Sequence, residues 1–142
     1  MNKELKPELS NRSPYWIDRH RYYELKHFCL QYPIWKKLCW MADNHHYNKT
    51  VNDELGTRVE TNGENDPTAN VAMIKAYYSD RIHMIEQTAK DADPYISDYI
   101  LKGVTEGKTY DVMNAIETMP CGKNTYYNRY RKFFWLLDKI RG

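Results

Sequence analysis

The chain has 142 residues, enough for one domain or two very small ones and for a core that needs no disulfides. Hydrophobic residues make up 42% and aromatic residues 14%, with 13 Tyr and 4 Trp, which excludes general disorder and makes much of the core aromatic. The net charge of +2 is too small to define a partner, so the distribution of charge matters more than its sum.

Residues 1–12 are polar and read as a frayed terminus. Ser13-Pro14 predicts a helix start, with serine as N-cap and proline at the first helical position. Ile17, Tyr22, Leu25, Phe28 and Cys29 mark its apolar face. Pro33 breaks that run, and a second helix restarts with Ile34, Leu38, Met41 and Ala42 on one side and Trp35 and Trp40 at the edges. Asn44 to Asp66 is poor in large apolar residues and reads as a long loop, with a short extended piece at Thr57–Thr61.

Asp66-Pro67 signals the next start. Val71, Ile74, Tyr78, Ile82, Ile85 and Ala89 follow at helical spacing, and no Gly or Pro intervenes before Pro94. This predicts one amphipathic helix of roughly 25 residues. Asp93-Pro94 then predicts a helix carrying Ile96, Tyr99, Ile100 and Val104, loosened by Gly103 and capped by Gly107. Thr109 caps a short helix with Val112, Ala115, Ile116 and Met119 on its apolar face, and Pro120 ends it. Gly122 permits a turn into a last helix. The fold class is therefore all-α, divided into an N-terminal helical segment (1–66), a connecting helix (67–92) and a C-terminal module (93–142).

The last helix separates two chemistries. Stepping about 100° per residue, Tyr126, Tyr130, Phe133 and Leu137 form a core stripe flanked by Phe134 and Ile140. Asn124, Asn128, Arg131, Lys132, Trp135 and Lys139 lie opposite, and Arg129 lies at the border near Thr125. From Lys108 onward seven basic residues stand against Asp111, Glu117 and Asp138, a net of +4 that leaves −2 for the rest of the chain. A short helix, a tight turn and a basic amphipathic helix match the layout of a helix-turn-helix. On that layout the first two turns read bases, which nominates Lys123, Asn124, Thr125, Asn128 and Arg129. Arg131, Lys132 and Lys139 are placed for phosphates, where they add affinity without specificity. The competing reading of the same pattern is a solvated helix face.

The run Thr109-Tyr-Asp-Val-Met-Asn-Ala-Ile-Glu-Thr-Met-Pro-Cys-Gly-Lys-Asn-Thr-Tyr-Tyr-Asn-Arg-Tyr-Arg-Lys-Phe-Phe-Trp-Leu-Leu137 resembles a DNA-binding module of the sigma-factor region-four type. Over Ala69–Leu137 the chain is similar to phage late-transcription regulators of the RinA/ArpU type. That resemblance implies a sequence-specific regulator of phage or prophage late genes. Its partners would be double-stranded DNA, RNA polymerase and a second copy of the chain. Cys121 stands where the family usually has a capping serine, which shifts the cap toward Gly122 or Asn124.

Other chemistries find less support. His20, His27, Cys29, Cys39, His45 and His46 lack zinc-site spacing, so no metal is expected. Three cysteines without a C-x-x-C pair point to free thiols. No run approaches the roughly 18 apolar residues of a membrane span, and the N-terminus has no apolar signal region, so a cytoplasmic location without a membrane partner is expected. The Ser13–Tyr23 segment mixes arginine with aromatics that could stack on bases, but Leu25 and Phe28 favour a core helix with Arg19 and Arg21 exposed. No phosphate loop or nucleophile–base pair is present, so neither an enzyme nor a cofactor is expected. Two other classes remain open: a small-terminase-like packaging protein ringed through the long helix, and a protein-interaction module with an incidental basic face.

Overall fold

The computed structural model of the protein describes residues 13–44 and 67–142. The frayed terminus expected at 1–12 and nearly all of the loop expected at 44–66, including the Thr57–Thr61 piece, lie outside the described residues. Among the described residues every regular element is a helix: α1 (Arg19–Leu30), α2 (Tyr32–Asp43), α3 (Pro67–Ala92), α4 (Ser97–Glu106), α5 (Tyr110–Ile116) and α6 (Lys123–Arg141). The fold is all-α. None of these helices is long and apolar enough to cross a membrane.

Two of the expected helix starts move. Ser13 does not cap α1. Its carbonyl accepts from Trp16 N at 3.1 Å and its hydroxyl from Tyr15 N at 3.1 Å, so Ser13-Pro14 forms a tight turn. Asp18 is the cap instead, with Oδ2 accepting from His20 N (3.0 Å) and Arg21 N (3.4 Å). Likewise Asp93 Oδ1 accepts from Tyr95 N at 2.9 Å in a turn, and α4 begins only at Ser97. Both Ser-Pro and Asp-Pro are turn formers as well as cap signals, and here the turn prevails.

The chain divides into two compact units, one running to Gln31 and resuming at Met84, the other spanning Tyr32–His83. This differs from the three segments expected. Helix α1 belongs with the C-terminal helices, and one boundary falls inside α3. In the Tyr32–His83 unit, Trp35 stacks on Tyr78 with ring centroids 6.4 Å apart, and Ile74 and Tyr78 pack on Leu38 and Met41. The expected face of α2 is rotated. Trp35 is 4% exposed, while Ile34 is 52% exposed. The reason is volume: an indole buries far more apolar area than an isoleucine.

The other unit is built on α1, α4 and α6, which pack pairwise. Helix α1 contributes Tyr22, Leu25, Phe28 and Cys29, α3 contributes Ile85, Thr88, Ala89 and Ala92, and α4 contributes Ile100 and Val104. Helix α6 supplies Tyr126, Tyr130, Phe133, Phe134 and Leu137 as expected, but Ile140 at its end is exposed. Two buried hydroxyls are satisfied within their own helices: Thr88 Oγ1 donates to Met84 O and Thr105 Oγ1 to Leu101 O, both at 2.6 Å.

Gly107 ends α4 in the left-handed region at φ 71°, the cap its sequence position predicts. Gly103 does not loosen α4. A Cβ there would lie 2.0 Å from Tyr126 Oη, so the glycine is the space that the tyrosine occupies. Gly103→Ala should therefore destabilise the chain by about 1–3 kcal/mol through overpacking. Gly122→Ala, where an added Cβ meets nothing, should cost less than about 1 kcal/mol, the range set by a glycine-to-alanine change at a helix N-cap. Urea denaturation of both variants checks the contrast.

Candidate nucleic-acid interface

The turn before α6 is held by side chains that the sequence leaves without a role. Tyr110 Oη donates to the Cys121 carbonyl at 2.6 Å, and Tyr110 N donates to Tyr127 Oη at 3.2 Å. Asn114 Oδ1 accepts from Met119 N at 2.9 Å. Thr109 caps α5 as expected, its Oγ1 accepting from Val112 N at 3.2 Å. Helix α5 ends at Ile116 rather than at Pro120, and its apolar face is not the expected one. Met113 is buried within it and Met119 just beyond, whereas Val112, Ala115 and Ile116 are exposed. Seven residues make only two turns, so a single inward side chain suffices to seat the helix. Neither Cys121 nor Asn124 caps α6. Gly122 is the N-cap and no side chain bonds the first amides.

Tyr126 fixes the orientation of α6. It is fully buried, packs on Tyr110, Tyr127 and Tyr130 with centroids 5.0–6.0 Å away, and donates to the Tyr99 carbonyl at 3.5 Å. Farther along, Tyr22 of α1 meets Phe134 at 5.0 Å and shares a hydroxyl hydrogen bond with Tyr130 at 3.3 Å. Arg21, expected to be exposed, donates through Nε to Asp138 Oδ1 at 2.6 Å and through Nη2 to Asp138 O at 3.2 Å. The Asp138 hydrogen bond, then that of Glu24, raises its pKa further.

This packing divides the polar side of α6 along its length. In the C-terminal half, Tyr15 covers Trp135 edge-on at 5.6 Å, and Lys139 Nζ lies 4.2 Å from the indole centroid. Trp135 thus packs under the chain's own N-terminal segment. In the N-terminal half, Asn124 and Thr125 are exposed, and Asn128 and Arg129 are half-buried beside them.

The nominated cations differ in what they touch. Lys123 Nζ pairs with Asp111 Oδ2 at 3.0 Å. Arg129 donates through Nε to Asp93 Oδ2 at 3.1 Å and through Nη1 to Asn128 Oδ1 at 2.6 Å. Asp93 is the residue that the sequence does not connect with this site, since an Asp-Pro pair signals only a turn or a start. The Cys121 thiol lies in the same neighbourhood: burial first, and the Asp93 carboxylate second, push its pKa up, while Arg129 opposes them. Arg131 and Lys132 form no ion pair among the described residues, and burial lowers the Arg131 pKa. A half-buried guanidinium without a carboxylate partner is suited to an incoming anion.

Of the zinc candidates, His45 and His46 lie outside the described residues, and among the described residues no three His, Cys, Asp or Glu side chains gather as a metal site. Comparison with family models, with curated proteins and with solved structures returns no match.

The burial of Tyr126 gives the unit a pH dependence. Desolvation raises its phenol pKa well above the ordinary value, so the folded chain keeps the proton that an unfolded tyrosine releases near pH 10. Its contribution is complete below about pH 10 and is lost as the pH rises beyond it, by up to about 1.4 kcal/mol per pH unit. The buried Cys29 thiol, raised mainly by desolvation, acts in the same direction. Urea midpoints between pH 9 and 11 should fall less steeply for Tyr126→Phe than for the wild type.

Proposed function

We propose that the chain is a sequence-specific duplex DNA-binding regulator in which α5, the connection and α6 act as a helix-turn-helix. The observation that carries this reading is the division of α6. Its aromatic stripe is anchored in the core, its C-terminal half is covered near Trp135, and its N-terminal half leaves Asn124 and Thr125 exposed, with Asn128 and Arg129 half-buried beside them. A helix held along one side with a polar, partly basic start is what major-groove reading requires. Arg131 and Lys132 then supply backbone contacts, and the +4 balance of residues 108–142 supports attraction to a polyanion. The resemblance to phage late-transcription regulators supports a place in late gene control.

Fluorescence anisotropy with labelled duplexes tests this reading. Arg131→Ala and Lys132→Ala should weaken binding to all duplexes alike and reduce the slope of log affinity against log salt by about one unit each. Asn124→Ala should instead reduce discrimination between a selected site and unrelated DNA. Absence of binding to any duplex at about 50 mM salt would overturn the proposal.

A further inference from the structure

We propose that Arg129 and Asn128, with Asp93 positioning the arginine, form a donor-only reading group directed at guanine in the major groove. The inference rests on the duplex-binding reading above and names the base that one part of the site reads.

An unattached asparagine offers an acceptor and a donor side by side, the pattern that suits adenine. Asn128 is not unattached. Its Oδ1 accepts from Arg129 Nη1 at 2.6 Å, a short charge-assisted bond. The guanidinium therefore orients the amide, because the amide nitrogen in that place would set N–H against N–H. The Nδ2 group is turned away from Arg129 as a donor. Arg129 is itself held, its Nε donating to Asp93 Oδ2 at 3.1 Å. That leaves Nη2 and the second Nη1 hydrogen uncommitted on a side chain still 37% exposed. The groups left to donate are thus Asn128 Nδ2 and the remaining Arg129 hydrogens, while Asn128 Oδ1 and Asp93 Oδ2 are already accepting from Arg129. Guanine presents two acceptors, O6 and N7, on its major-groove edge, whereas adenine presents one acceptor and one amino donor. The amino donor would meet donors here.

Asp93 is a positioning residue in this arrangement. Its side chain is 20% exposed and its other oxygen, Oδ1, holds Tyr95 N at 2.9 Å. The carboxylate thus ties Arg129 to the turn that ends α3 and removes rotamer freedom that a long arginine would otherwise lose on binding. It also sets a negative charge near the duplex, which opposes phosphate attraction. Two effects of opposite sign are expected from one residue: Asp93 strengthens base preference and weakens non-specific affinity.

Selection from a random duplex pool with the full chain should return a site with an essential guanine. Replacing that guanine by 7-deazaguanine, which lacks the N7 acceptor, should cost roughly tenfold or more in affinity, while inosine, unchanged in the major groove, should cost little. Asp93→Asn keeps an oxygen for Tyr95 N but cannot accept from Arg129 Nε. It should lower the guanine preference by roughly tenfold while binding to unrelated duplexes stays equal or tightens. Arg129→Lys keeps the charge, loses the fork and its hold on Asn128 Oδ1, and should lower the preference severalfold without loss of non-specific affinity. A selected site in which Asn128 specifies adenine, indifference to 7-deazaguanine, or an Asp93→Asn variant weakened equally on all duplexes would overturn the assignment while leaving DNA binding intact. Failure of the wild type to retain any duplex at low salt would instead remove the DNA reading and this inference with it.

Discussion

The contact of Tyr126 with Gly103 is the constraint on which the C-terminal unit depends. A fully buried tyrosine at the start of α6 occupies the space that a glycine leaves in the middle of α4. Glycine inside a helix costs about 1 kcal/mol of helix stability relative to alanine. Here that cost is offset by a close approach that no other residue allows, and by a ring that touches three other tyrosines. With Tyr126 seated, the rotation of α6 about its axis is decided, and so is the direction in which Asn124, Thr125 and Asn128 point.

The seam between α1 and α6 completes what that contact begins. Tyr22 against Phe134, the paired hydroxyls of Tyr22 and Tyr130, and Arg21 on Asp138 hold the far half of α6 against α1. The Arg21 pair is partly exposed and is worth at most about 1 kcal/mol, so the aromatic packing dominates. Two anchors along one helix leave it little freedom to tilt. For the DNA-binding role proposed for α6, that rigidity is favourable because side chains that are already ordered lose less entropy on binding.

Electrostatics then sorts the basic residues of α6 by what they touch. Lys123 and Arg129 are tied to Asp111 and Asp93, whereas Arg131 and Lys132 form no ion pair among the described residues. A cation already paired is oriented and partly neutralised, which suits discrimination. A cation without a carboxylate partner suits attraction to phosphate. The aspartates lie in α5 and in the turn after α3, so this sorting crosses three elements.

The sequence by itself determined the fold class and much of the core. Unbroken 3.6-residue spacing predicted α3 nearly to its ends, the stripe Tyr126, Tyr130, Phe133 and Leu137 is buried as spaced, and Thr109 and Gly107 cap where their chemistry favours it. These are local properties, set by propensity and periodicity within one segment. The starts at Ser13-Pro14 and Asp93-Pro94 were misplaced because both pairs serve turns and helix starts equally, and only packing chooses between them. Tertiary structure alone decided that α1 joins the C-terminal helices, that Trp135 is covered by Tyr15, and that Asp93 grips Arg129 across 36 residues of chain. No local pattern encodes such pairs, since each depends on where folding brings two distant segments together.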